Sequence, residues 1–314
     1  MSTTPILFDY RKTQPLTKNV QNLSNLETAG SPYSQKIHLF CAAAGVTIKS
    51  CEQAPVLPRP TLDNLGITYR RIPVLAIGKD IFADSSLIID VLGALGQLKS
   101  DPAAKAFEVF ANSLFQVALR IAPPALLEPS FVKDREDIFP ILGDKDYASL
   151  RPSALADIRA SFEVIEREFL ARGTTFIDGD NISLSDVHVA WVVRWILEAF
   201  GMNKEPGFEK KDFPKLYTWL ANLPSKQAQN ISDEEAVEAI KNGKYIVQEA
   251  PAVRNDPLGL KLGDSVTIET TDSTAGSSPQ HGKLASLRID TVAIELENQL
   301  RLHFPRRGVL VKKV

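Results

Sequence analysis

Residues 30–40 read GSPYSQKIHLF, and the reading of this stretch sets the reading of the chain around it. Pro32 stands where a helix would make its first turn, a place where its missing N–H costs nothing, and Ser31 ahead of it is a natural N-cap. Ile37, Phe40, Cys41 and Ala44 then share one face, and Gly45 is the stop. A Cys-Pro-Tyr-Cys at a helix start would be a thiol redox centre. Here serine holds both flanks, at Ser31 and Ser34, so exchange through a mixed disulfide is unavailable at position 31.

Ahead of this turn, PILFDY has the length and the bounds of a strand. The polar run over residues 11–29 shows no apolar face and reads as a loop or inserted excursion. Behind the helix, VTIKSCEQ reads as a second strand, and the prolines of APVLPRP argue against regular structure there. RRIPVLAIG and IFA read as two further strands joined by a tight turn at Lys79-Asp80, and DSSLIIDVLGAL as a helix. The order is strand, helix, strand, strand, strand, helix, with a parallel crossover first and an antiparallel pair later.

From residue 104 to 242 the apolar spacing is helical, in AKAFEVFANSLFQVALRI, RPSALADIRASFEVIEREFLA, SLSDVHVAWVVRWILEAFG and FPKLYTWLANL. Ser183 with Asp186, and Ser232 with Glu235, approximate capping boxes. After residue 264 the period changes again. VTI, GKLASLRI, TVAIELE, LRLHF and GVLVKKV are short alternating runs, expected to form a small antiparallel sheet or barrel packed on the helical region. The expected segments are thus 1–98, with an insert at 11–29, then an all-helical 99–250 and a β-rich 251–314.

Composition bounds the function. The 314 residues are 44% hydrophobic and 24% charged, with a formal net charge of −2, so no overall basic field draws nucleic acid or membrane. The first residues, MSTTPILFDYRK, lack the basic start and apolar run of a secretory signal, and two cysteines make no disulfide framework. A reduced, cytoplasmic setting is expected. None of the four histidines has metal-ligand spacing, so no metal is expected.

Four stretches together resemble the glutathione transferase superfamily: SPYSQKIHLF, RRIPVL, ADSSLIIDVL and FIDGDNISLSDVHVAW. The resemblance covers residues 5 to about 225, with these stretches in that family's order and spacing. The resemblance implies an α/β thioredoxin-like N-terminal domain, an all-α C-terminal domain and, outside the usual fold, a small all-β extension of the kind some fungal members carry. It also implies glutathione as co-substrate, a small-molecule electrophile as its partner in the reaction, a homodimer, and roles such as detoxification or secondary metabolism. The insert at 11–29 departs from the family, whose loop there is a few residues long.

Site residues follow from the resemblance one by one. Ser31 ranks first as the catalytic hydroxyl, Tyr10 at the end of the first strand second, and Ser34 third. A hydroxyl at a helix N-terminus donates to a thiolate, which the helix dipole also favours. Lowering a thiol pKa of about 8.5 by two units takes roughly 2.7 kcal/mol. A charge-assisted hydrogen bond of ~1.5–3 kcal/mol and a dipole contribution of ~0.3–1 kcal/mol reach that sum. The plainer meaning of Ser31 is a helix cap.

Ile72-Pro73 matches the proline that the family holds in cis, which would offer the Ile72 main chain to a peptide ligand. Asp84 and Ser85 match the residues that hold the γ-glutamyl end of glutathione, and Arg71 is a candidate for its glycine carboxylate. Asp84 also reads as an N-cap, and the Arg70-Arg71 pair as solvated charge. The basic end FPRRGVLVKKV reads as a strand edge protected by lysine rather than a nucleic-acid surface. Two alternatives to transfer remain open: a glutathione-dependent isomerase, and a binding or scaffold protein on the same fold.

Overall fold

In the computed structural model, β1 (Ile6–Tyr10) pairs in parallel with β2 (Lys49–Gln53), Phe8 opposite Cys51. On its other side it pairs antiparallel with β3 (Val74–Ile77), Phe8 opposite Val74. A turn at Gly78 and Lys79 leads into β4 (Asp80–Ala83), one residue earlier than the Lys79-Asp80 turn expected from the sequence. Glycine adopts the φ of +60° needed at position 78 without strain. The structure describes residues 4–10, 30–248 and 253–314, apart from the Tyr10 side chain; the insert at 11–29 lies outside them.

The remaining elements follow in chain order. α1 (Pro32–Ala44) joins the first two strands in sequence, and α3 (Ser85–Gly93) follows β4. The proline-rich stretch is not wholly irregular, because Pro60 opens the short α2 (Pro60–Asn64) from its first helical position. The helical region contains α4 (Ala104–Ala118), α5 (Pro129–Arg135), α6 (Tyr147–Val164), α7 (Leu184–Arg194) and α8 (Pro214–Ala221). Then come β5 (Gln229–Asn230), α9 (Asp233–Lys241), and β6 (Ser265–Thr270), β7 (Gln280–Leu287), β8 (Thr291–Glu295), β9 (Arg301–Pro305) and β10 (Val309–Lys313). No helix among the described residues is long and apolar enough to cross a membrane.

The described residues divide into two units, one of residues 4–10, 47–92, 228–248 and 253–314, the other of 30–46 and 93–227. The first holds a ten-stranded sheet in the order β10-β6-β7-β8-β9-β4-β3-β1-β2-β5. The C-terminal strands thus belong with the N-terminal sheet, not with the helical region as expected. β9 lies parallel to β4, with Ile81 opposite Leu302, and one apolar core runs from Ile6, Phe8 and Val74 through Val266, Ile294 and Phe304. β10 follows β9 after three residues yet pairs with β6 at the far end of the β6-β7-β8-β9 run. A chain that short can reach only if the run curls on itself.

Asp80 fastens this junction. Its Oδ1 meets His303 Nε2 at 2.7 Å, and its Oδ2 accepts the amides of Ile246 at 2.6 Å and Val247 at 3.0 Å. Burial pushes the carboxyl pKa up, but the His303 and amide hydrogen bonds outweigh it and hold the pKa below the ordinary range. Gln280 adds a second tie, its Oε1 accepting the Thr68 amide at 2.8 Å while its Nε2 donates to the Gly66 carbonyl at 3.1 Å.

In the second unit, the carboxylate of Asp186 accepts from the Ser183 and Ile177 amides, the Ser183 hydroxyl and the Trp219 indole, all at 2.8–2.9 Å. The expected cap is therefore also a tie to α8. Beneath α1, Lys36 Nζ meets Glu108 Oε1 of α4 at 2.6 Å, and His188 Nδ1 of α7 lies 3.6 Å from the same oxygen. Burial alone would raise the Glu108 pKa, but Lys36 beside it brings it to about 2. Burial, helped by the Lys36 charge, pushes His188 down to about 3 and keeps it neutral.

Two outcomes follow for stability. Asp80→Ala strands His303 and two amides, and chemical denaturation is expected to show a loss of roughly 3–5 kcal/mol. The depressed His188 pKa stabilises the fold fully above its unfolded value of about 6.5, and that contribution is lost as pH falls towards about 3. One proton gives a slope of up to ~1.4 kcal/mol per pH unit, which denaturation at pH 6.5 and pH 4.5 is expected to find flattened in His188→Phe.

Candidate functional site

The first unit brings together Ile72, Pro73, Asp84 and Ser85. Arg59, fully buried, donates through its guanidinium to the Arg70 carbonyl and through Nε to the Ala54 carbonyl at 3.0 Å, which fixes the approach to Ile72. The Ile72-Pro73 peptide bond is cis. Among the described residues no protein group bonds to the Ile72 amide or carbonyl. At the same open end of the β3–β4 hairpin, where Val74 pairs with Ala83, Asp84 holds a φ of +77°, a left-handed conformation uncommon for a residue with a side chain. Its Oδ1 accepts the Ser86 amide at 2.7 Å, and its carbonyl accepts the Ile88 amide at 3.0 Å, so it caps α3. Ser85 is largely buried at the start of that helix.

Arg71 is engaged by the C-terminal strands. Its Nη1 and Nη2 reach the two carboxylate oxygens of Asp272 at 3.0 and 2.7 Å, a fork-to-fork pair. Asp84 and Arg71 line a cavity of about 200 Å³ with Tyr69, Thr270, Asp272 and Arg307. Sequence reasoning missed Tyr69, Thr270, Asp272 and Arg307. FPRRG announced the charge of Arg307, but its place depends on the pairing of β9 with β4, which no local pattern announces.

The second unit carries Ser31. It caps α1, its Oγ accepting the Ser34 amide at 3.3 Å while its carbonyl accepts the Gln35 amide at 3.0 Å. A hydroxyl that accepts in this way keeps its own proton to donate. No acidic residue stands in the first turn of α1, so its positive end is not offset from within. Ser34 Oγ is buried, with no hydrogen-bond partner among the described residues. Tyr33 packs on Trp191, with ring centres 4.5 Å apart, and its hydroxyl donates to Asn112 Oδ1 at 3.3 Å. Tyr10 ends β1, and its side chain lies outside the described residues.

Neither cysteine competes as a nucleophile. Burial pushes the Cys41 thiol up to about 12, and the fully buried Cys51 donates its S–H to Asp233 Oδ1 at 3.2 Å. Of the α4 aromatic residues Phe115 is buried, while the half-buried Phe107 and Phe110 stand edge-on to Phe169, with ring centres 4.7 and 4.9 Å apart.

Comparison with known proteins accords with this geometry. Residues 26–99 match the model of the glutathione S-transferase N-terminal domain, and residues 116–230 match a domain of unknown function (DUF7962). A curated relative, glutathione S-transferase U4 of Arabidopsis thaliana, is 22% identical over 226 residues, covering 69% of this chain and 91% of that protein. The crystal structure of a GST-like protein from Pseudomonas syringae aligns over 100% of both chains, at 21% identity and a TM-score of 0.68. The Tau class glutathione S-transferase of mango, Mangifera indica, aligns over 75% of this chain and 96% of its own, at 16% identity and a TM-score of 0.45. The N-terminal domain match and the curated relative make the chain similar to the glutathione transferase superfamily, and its fold is shared over its full length with the GST-like protein.

Proposed function

We propose that this protein is a glutathione transferase that activates the glutathione thiolate for attack on an electrophilic carbon of a small apolar molecule. The observation that carries the reading is Asp84, held at a φ of +77° at the start of α3 with Ser85 beside it. A side chain kept in a sparsely populated backbone conformation marks a place where function outweighs local preference. A carboxylate there suits the ammonium of the γ-glutamyl end, and Ser85 with the α3 amides suits its carboxylate. The Ile72 amide and carbonyl suit the peptide main chain.

Ser31 supplies the chemistry in this reading. Its hydroxyl donates to the thiolate sulfur, and the positive end of α1, with no acidic residue in its own first turn, favours the same charge. The thiol proton passes to solvent. The sulfur lone pair then forms the new S–C bond, and the leaving group departs with the electrons of the bond that breaks. A homodimer acting in the cytoplasm completes the reading, both carried over with the family.

Asp84→Asn keeps an oxygen for the Ser86 amide and removes the charge. Calorimetry is expected to show glutathione bound about tenfold or more weakly by this variant, with the melting temperature little changed. Equal affinity in both proteins would remove Asp84 from the site. Ser31→Ala is expected to shift the rising limb of the pH–rate profile upward by roughly one to two units, measured with a panel of aryl halides. An unshifted profile in Ser31→Ala beside an inactive Tyr10→Phe would move the hydroxyl role to Tyr10.

A further inference from the structure

The C-terminal strands bring a positive group to the wall that Asp84 lines. The turn between β9 and β10 carries Arg307, and Gly308 within it takes a φ of +80°. The Thr271 amide holds this turn against the end of β6 by donating to the Gly308 carbonyl at 3.0 Å. Arg301 and Arg306 nearby are paired, with Glu295 and Asp256. Arg307 makes no hydrogen bond or ion pair with any described residue. Arg71, the other guanidinium on the cavity wall, is occupied by Asp272 through two hydrogen bonds. Arg307 is therefore the cation left to meet a ligand.

Size and charge then narrow the occupant. A cavity of about 200 Å³ is smaller than the roughly 300–1,000 Å³ that encloses a whole ligand, so it takes one end of one. A bare anion would face the carboxylates of Asp84 and Asp272, and a bare cation would face Arg307. A group carrying both charges satisfies both sides. The hydroxyl of Tyr69, kept protonated by burial and by the nearby Asp84 charge, adds a hydrogen-bond donor.

We propose that the C-terminal extension completes a clamp for a zwitterionic α-amino-acid head group, in which Arg307 binds the carboxylate and Asp84 the ammonium. The extension is then part of ligand recognition, and it selects for compounds whose amino-acid end is free. The identification of that head as the γ-glutamyl end of glutathione rests on the function proposed above; the charge complementarity does not.

Calorimetry at low salt on the full chain separates the two. The probes are glutathione, its analogue with 4-aminobutanoate in place of the γ-glutamyl residue, which lacks the α-carboxylate, and γ-glutamylglycine, which lacks the thiol. Arg307 is exposed and pairs with no described residue, so Arg307→Gln is expected to fold like the native chain, checked by its melting temperature. Arg307→Gln is expected to bind glutathione about tenfold more weakly, and to bind the 4-aminobutanoyl analogue as the native chain does. Unchanged glutathione affinity in Arg307→Gln overturns the clamp and leaves the transferase reading intact. If the native chain binds γ-glutamylglycine through Arg307 but not glutathione, the transferase reading fails and the clamp stands. Binding of none of the three overturns both.

Discussion

A single buried carboxylate, Asp80, governs where the C-terminal strands can go. Burying an ionised group costs several kcal/mol unless its lone pairs are met. Here they are met by His303 of β9 and by the amides of Ile246 and Val247, on the segment that leads from α9 to the extension. The charge on β4 is tolerable because His303 and these amides meet it, and the His303 bond helps to hold β9 in its parallel register. Gly78 contributes by absence, since a Cβ there would sit 2.1 Å from the Lys244 carbonyl oxygen. The chain after α9 can thus cross the hairpin closely enough for its amides to reach Asp80.

Other features follow from that junction. The β4 edge of the N-terminal sheet is covered, and the exposed edge passes to β10. There Lys312 pairs with Glu269 and Lys313 with Asp264, and charged edge residues of this kind discourage pairing with another chain. With β9 fixed in register against β4, the turn after Pro305 falls near Asp84, and the loop after β6 falls over Arg71. An extension that looked in the sequence like a separate small sheet is instead a wall built against residues inherited from the core fold.

The readable and unreadable parts of the chain divide by the range of the interaction that fixes them. Ser31 as a cap, Pro32 at the helix start and the Ser183–Asp186 and Ser232–Glu235 boxes lie within a few residues, so local rules found them. The family resemblance supplied the cis bond at Ile72-Pro73, against which composition alone argues. The hairpin turn slipped by one residue because Asp80 looks like turn chemistry until His303, 223 positions away, explains it as a strand residue. Lys36 and Glu108 are 72 positions apart, and each alone reads as a solvated charge on a helix. Arg307 and Asp272 were hidden for the same reason: their roles depend on a strand pairing that alternation of apolar residues cannot specify.

The two helix starts that carry candidate site residues are decorated oppositely, and the difference has chemical content. Both present the positive end of a helix dipole. At α3 a carboxylate already sits on that end, so further anion affinity is partly offset, and a ligand there does best by bringing an ammonium to Asp84. At α1 the cap is the neutral Ser31, with no acidic residue in the first turn, so the positive end is left to act on whatever binds there. A serine that replaced a cysteine at such a site would lose a nucleophile and keep the field that stabilises one. Thus the same local architecture can pass from holding its own thiolate to stabilising that of a ligand.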